Sequence, residues 1–181
     1  MFFTSTCASP LGELSLACDE QALVGLWFER ATFLEATAHA AVHAWPESPV
    51  LKLACEWLGA YFAGKRPGIG GLPLAPAGTP FQQLVWKLLL AIPYGKCVTY
   101  GDIAQEAAAA LHKERMSSRA VGGAVGRNPI SIIIPCHRVV GAGGNLTGYG
   151  GGIERKIRLL ELEDADMGRF TLPRRGKYAV R

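Results

Sequence analysis

No stretch of this 181-residue sequence approaches the roughly 18 consecutive apolar residues that a membrane-spanning helix needs. The opening MFFTSTCASP lacks both the basic start and the sustained apolar run of a secretory signal. The expectation is a soluble, cytoplasmic chain without membrane contact. Paired cysteines are also missing: Cys7, Cys18, Cys55, Cys97 and Cys136 are odd in number, lie far apart and form no CxxC, which argues against a disulfide framework or a zinc knuckle. Reduced thiols in an intracellular compartment are expected instead. His39 and His43 stand at helical i, i+4 spacing, but no acidic or thiol ligand accompanies them, so no metal is expected. Basic residues are scarce in the first 75 positions, where four face seven acidic ones for a net −3, whereas the remainder carries a net +7. A positive C-terminal part suits contact with a polyanion without establishing it.

What is present is enough apolar material to build a core: 49% of residues are hydrophobic and the mean hydropathy is +0.16. Alternation predicts three paired strands, Phe2 to Thr6, Leu14 to Cys18 and Leu23 to Phe28, followed by a helix over Thr32 to His43. A second helix is predicted over Val50 to Ala63, striped by Leu51, Ala54, Leu58 and Phe62. Glycine and proline then break all periodicity in GKRPGIGGLPLAPAGTP, which marks a domain boundary near residue 75. The reading is an α/β domain over 1–75, a mainly helical domain over 76–166 and a basic tail over 167–181.

In the second domain Thr79 and Pro80 open a helix whose buried stripe is Phe81, Leu84, Val85, Leu88 and Ile92. Thr99 and Asp102 have capping-box spacing for the next helix, and Ser117 or Ser118 can cap a third from Arg119 to about Gly126. Two such helices in succession are either a helix-turn-helix or an ordinary helical hairpin, and spacing alone favours the hairpin. Ile130 to Ile134 reads as a short buried strand ending at Pro135-Cys136-His137, and a last helix runs from Ile153 to about Asp164. A thiol behind a proline at a strand end is held where a nucleophile belongs, although buried structural thiols are common there too. On extended backbone, moreover, adjacent Cys and His side chains point apart. Seven glycines between Gly141 and Gly152 let backbone approach a ligand closely, and Glu163 on the last helix is an acid able to orient an imidazole.

The run IPCHRVVGAGGNLTGYGGGIERKIRLLELE, with RAVGGAVGRNP before it and GTPFQQLVWKLLLAIPYGKCVTYGDIA earlier, resembles the O6-alkylguanine-DNA alkyltransferases over about residues 78 to 164. The N-terminal part resembles that family in CASPLGEL and in general pattern. The resemblance implies a ribonuclease H-like α/β N-terminal domain and a mainly α C-terminal domain with a winged-helix-like helix-turn-helix. It also implies irreversible transfer of an alkyl group from O6-alkylguanine, and from O4-alkylthymine, in double-stranded DNA to the protein. Such a protein would be a monomer when free and would need no cofactor. By position, Cys136 would be the acceptor, and His137, with a bridging water and Glu163, would generate its thiolate. Arg119 would fill the gap left by a flipped base, Ala120, Gly122 and Gly123 would let the helix approach DNA closely, and Tyr100 would act at guanine N3 and a rotated phosphate. Asn128 would brace the turn before the active site, while Val139, Tyr149, Gly150 and Lys156 would line or support the pocket.

Three features depart from the family pattern. The segment Ala107 to Ser118 is several residues longer than usual, Gly150 stands where some members carry serine, and Val125 is a modest apolar residue on the pocket side of its helix. Two other readings compete: a lesion-binding module that transfers nothing, against which Cys136 counts, and a Cys-His hydrolase, for which no oxyanion-hole motif is recognisable.

Overall fold

The computed structural model describes residues 1–28 and 42–172. The chain divides into two compact units, one of Met1–Ala77 with Pro129–Ile133 and the other of Gly78–Asn128 with Ile134–Arg181.

In the first unit the alternating segments form β1 (Phe2–Cys7), β2 (Leu14–Cys18) and β3 (Leu23–Trp27), with β4 (Val42–Ala44) completing a sheet of order β3-β2-β1-β4. β1 to β3 are antiparallel neighbours and β4 runs parallel to β1. The chain reverses between β1 and β2 through paired bonds of Ser9 and Gly12, at 3.1 and 3.2 Å. Helix α1 (Pro49–Phe62) packs on the sheet through Val50, Leu51, Ala54, Leu58 and Tyr61, a set at helical spacing. Each such side chain contributes about 1.5–3 kcal/mol when fully buried. The helix expected over Thr32 to His43 lies mostly outside the described residues; its end, Val42 and His43, is strand and not helix, because these residues pair with Phe2 and Phe3.

The expected strand at Ile130 to Ile134 is also corrected. Only Ile130 bridges β3, opposite Leu26, with Leu26 N–H donating to Pro129 O at 2.8 Å and Ser131 N–H to Leu26 O at 2.9 Å. The chain then turns, with Ile133 N–H bonded to Ser131 O at 2.8 Å and Ile132 at φ 68°. A β-branched residue at positive φ is strained, so its burial must be holding it there. The apolar run reported burial, which a turn satisfies as well as a strand.

The second unit is built on three helices that pack on one another: α2 (Pro80–Leu90), α3 (Tyr100–Ala110) and α4 (Ser118–Gly126). Capping boxes at Thr79 with Gln82 and at Thr99 with Asp102 start the first two, and Ser117 caps the third by accepting from Arg119 and Ala120 N–H. Trp86 Nε1–H donates to Ala124 O at 2.9 Å, fixing α2 against α4. A two-stranded parallel pair, β5 (Val98–Thr99) and β6 (Val139–Val140), and helix α5 (Ile153–Leu162) complete the unit. Residues 167–172, expected to begin a tail, are built into it. Met167–Arg169 form a 3₁₀ turn, Phe170 packs on Val140, Leu146 and Leu160, and Thr171 exchanges bonds with Gly144 and Leu146. An α/β unit joined to a mainly helical one is the architecture expected, and no helix among the described residues is long and apolar enough to cross a membrane.

Candidate active site

Cys136 does not end a strand: it opens a 3₁₀ turn, Cys136–Arg138, immediately before β6. Side chains in such a turn are set about 120° apart instead of opposed, so Cys136 and His137 both face the interior, with exposures of 6% and 0%. The Cys136 sulfur accepts from Asn128 Nδ2 at 3.2 Å, and the same amide group donates to Ile134 O at 2.8 Å. Asn128 therefore ties the end of α4 to the sulfur and to the backbone just before it. Burial pushes the Cys136 thiol above its ordinary value, while the Asn128 bond, the Lys156 charge and the backbone N–H groups of Cys136 and His137 pull back towards the thiolate.

Glu163, the residue that caps α5, is buried at 1% exposure and organises the other side of the cluster. Its Oε1 lies 2.8 Å from His137 Nε2, Arg138 spans both carboxylate oxygens at 2.8 and 3.0 Å, and Gly95 N–H donates to Oε2 at 3.0 Å. Burial pushes the carboxyl up, but the bonds to His137 and Arg138 outweigh this and hold it well below the usual carboxylate range. Burial holds His137 below its ordinary value, with Glu163 opposing the shift and Arg138 and Lys156 reinforcing it. Glu163 is thus an anion that accepts from Nε2–H, so the neutral imidazole has its basic lone pair on Nδ1. Arg138 is fixed further by Ile92 O at 2.6 Å and by the Tyr94 ring, 5.7 Å below the guanidinium. The Gly95 contact requires glycine twice over, since φ is 72° and a Cβ would lie 2.5 Å from Glu163 O.

Lys156, fully buried on α5, donates to Val139 O at 2.5 Å and Thr147 O at 2.9 Å, fastening the glycine-rich loop to β6. Burial pulls its ammonium down to about 8, against the pull of Cys136 and Cys97. Tyr149 is buried with its ring 6.4 Å from that of His137, edge to face, and burial raises its phenol well above the ordinary value. Tyr100, first residue of α3, makes long bonds of 3.4 and 3.3 Å to Thr147 O and Gly148 O. Gly148 accommodates it, since a Cβ there would lie 2.8 Å from the Tyr100 hydroxyl.

The structure therefore gathers Cys136, His137, Glu163, Asn128, Val139, Lys156 and Tyr149 in one place and links Tyr100 to them through the 147–148 backbone. Gly150 is exposed in the same loop. Arg119 and Ala120 are exposed at the start of α4; Gly122, further along, would touch the Tyr100 ring at 3.9 Å if it carried a Cβ, and Gly123 is half-buried. Val125 is buried in the core of the unit. Sequence reasoning missed Arg138 and Gly95. Arg138 was visible in PCHR as a cation beside the proposed base, whereas no sequence signal pointed from Gly95 to Glu163. No group of ligating side chains suited to a metal occurs among the described residues.

The ribonuclease-like domain of 6-O-methylguanine DNA methyltransferase matches residues 2–76, and the DNA binding domain of the same proteins matches residues 80–165. The methylated-DNA–protein-cysteine methyltransferase of Mycobacterium bovis is 46% identical over 164 residues, covering 90% of this chain and 93% of its own length. Its counterpart from Haemophilus influenzae is 41% identical over 155 residues, covering 86% and 82%. The crystal structure of Mycobacterium tuberculosis O6-methylguanine methyltransferase is similar with a TM-score of 0.76 at 45% identity, covering 90% of this chain and 93% of that one. A structure of the Mycobacterium tuberculosis protein in complex with DNA is similar with a TM-score of 0.75 at 44% identity, covering 93% and 94%. With both domains matched along nearly its whole length, the chain belongs to the 6-O-methylguanine DNA methyltransferase family.

Proposed function

We propose that this chain repairs double-stranded DNA directly, moving the alkyl group of O6-alkylguanine, and of O4-alkylthymine, onto Cys136 in a single irreversible turnover, as a monomer and without a cofactor. The observation that carries the reading is a buried thiol held by Asn128 next to a histidine whose Nε2 is tied to an ionised Glu163. Displacement at an alkyl carbon favours a soft thiolate, and this arrangement supplies a base for its proton. His137 takes the thiol proton on Nδ1 through a bridging water while Glu163 and Arg138 hold the ring in register. The sulfur attacks the alkyl carbon, the S–C bond forms as the C–O6 bond breaks, and the electron pair leaves with the guanine. The proton released by the thiol ends on the departing base. The product is a thioether, which has no easy hydrolytic exit, so one molecule repairs one lesion.

Duplex DNA buries the target atom, so the base must leave the stack. Arg119, exposed at the capped start of α4, occupies the gap, and Ala120, Gly122 and Gly123 allow close approach to the sugar-phosphate wall. Tyr100 acts at guanine N3 and the rotated phosphate, and Gly150 N–H faces O6, stabilising charge that develops on the leaving base. Tyr149 and Val139 line the pocket and Lys156 supports its loop. Intact mass after incubation with O6-methylguanine DNA tests the reading: one stable methyl gain, mapped to Cys136 and absent in Cys136→Ser, is expected. No gain, or a methyl on Cys97 or Cys55, would overturn it.

A further inference from the structure

The connection between α3 and α4, Leu111–Ser117, is seven residues long, against the three or four usual in a helix-turn-helix. It is built rigidly at both ends. Lys113 N–H returns to Ala108 O at 2.9 Å and His112 N–H to Ala109 O at 3.1 Å, with His112 at φ 52°. That is the Schellman arrangement, which satisfies the last carbonyls of a helix and fixes the direction in which the chain leaves it. At the far end Ser117 caps α4. Between these anchors Lys113, Glu114 and Arg115 are all exposed, and among the described residues neither cation makes an ion pair.

The connection stands away from α3 and leaves a groove of about 490 Å³. Its floor is made largely of small residues on α3, including Ala104 and Ala108, and its wall carries Lys113, Glu114, Arg115 and Ser118. Ser118 is the immediate neighbour of Arg119, so the groove continues the exposed start of α4. A groove floored by small side chains and edged by two cations that form no ion pair among the described residues fits a sugar-phosphate strand, whose charge the cations neutralise and whose sugars need close approach.

We infer that the 111–117 connection is a second DNA clamp, in which Lys113 and Arg115 hold phosphates of the strand that runs on from α4, with Glu114 moderating the attraction. The inference rests on the reading of the chain as a duplex-DNA alkyltransferase. It concerns duplex affinity and register, and no step at Cys136.

The test is the dependence of binding to undamaged duplex on salt. Each phosphate neutralised contributes about 0.9 to the slope of log affinity against log salt. The double variant Lys113→Ala, Arg115→Ala should flatten that slope by roughly 2 and weaken binding about tenfold or more at low salt. Glu114→Lys should do the opposite, steepening the slope and tightening binding. All three positions are exposed, and thermal midpoints check that each variant is folded. Slopes and affinities equal to the parent in both variants would overturn the clamp. Reaction of the parent protein with free O6-benzylguanine, which requires no duplex, reports separately on Cys136. Failure there would remove the alkyl-transfer reading, while the salt slopes would still decide whether the connection binds DNA.

Discussion

Proton positions in the cluster follow from Glu163, because a proton on Oε1 would displace His137 and one Arg138 bond, and a proton on Oε2 would displace Gly95 and the other Arg138 bond. The consequence for His137 has a definite sign in pH. Burial holds the folded histidine below its unfolded value of about 6.5, so the stability it contributes is fully present above that pH. It is lost as pH falls through the lower folded value, where a buried imidazole must charge. Glu163 acts in the same direction at more acid pH, its contribution being present above about 4.3 and lost below. The urea midpoint should therefore fall steadily between pH 7 and pH 5 in the parent protein, and the fall should shrink in His137→Asn. Equal pH profiles for the two proteins would show that His137 is not the buried group responsible.

Among the elements, the helices were legible in the sequence because their determinants are local. Thr79 with Pro80, Thr99 with Asp102, and Ser117 announce three starts within a few residues of each, and the stripe of α1 is read by counting except at its end, where Tyr61 is buried and Phe62 only half-buried. β4 and the 130–134 segment were not legible, since their state depends on Phe2 and Leu26, far away in sequence. The site followed the same division. Cys136, His137, Asn128 and Glu163 were accessible through the family resemblance, whereas the 3₁₀ turn that brings the first two inward depends on how Pro135 and its neighbours pack, and hairpin could not be told from helix-turn-helix by spacing. His112 offers a test of local control. It occupies the left-handed position of the Schellman turn, where a side chain costs about 1 kcal/mol that glycine does not. His112→Gly should raise stability by a few tenths to about 1 kcal/mol in denaturant unfolding, the gain being limited by the greater freedom of glycine in the unfolded chain. A loss of stability would mean that the imidazole makes contacts worth more than the strain. Helix α4 offers another, because Arg119 is exposed whereas the thiol is buried. Arg119→Ala should slow repair of duplex DNA far more than reaction with free O6-benzylguanine, since only the duplex needs a filled gap. Equal losses on both substrates would assign Arg119 to the fold instead.

For the whole molecule, the product of the reaction is a different protein from the one that bound DNA. Cys136 is 6% exposed, with Asn128 Nδ2 3.2 Å from its sulfur, and the same Nδ2 holds Ile134 O. A methyl on that sulfur adds volume to a packed site, which typically costs roughly 1–3 kcal/mol, and turns a thiol able to ionise into a thioether that is only a weak acceptor. The Asn128 amide keeps Ile134 O, but the methyl crowds its contact with the sulfur, and a part-buried donor left without that contact adds a penalty of up to about 1–3 kcal/mol if no water replaces the sulfur. Asn128 directly follows Arg127, the cap of α4, so displacement of its side chain is felt first at the end of the helix that presents Arg119. Methylation should thus lower the thermal midpoint of the free protein and weaken its hold on repaired duplex, the two effects sharing one cause. Both are measured on the parent and on protein methylated by a stoichiometric amount of lesion DNA, then stripped of DNA and returned to the same buffer. Asn128→Ala, which lacks the coupling amide, should be less stable at the outset but lose less on methylation. A midpoint unchanged or raised by methylation would refute the coupling through Asn128, even with the methyl mapped to Cys136.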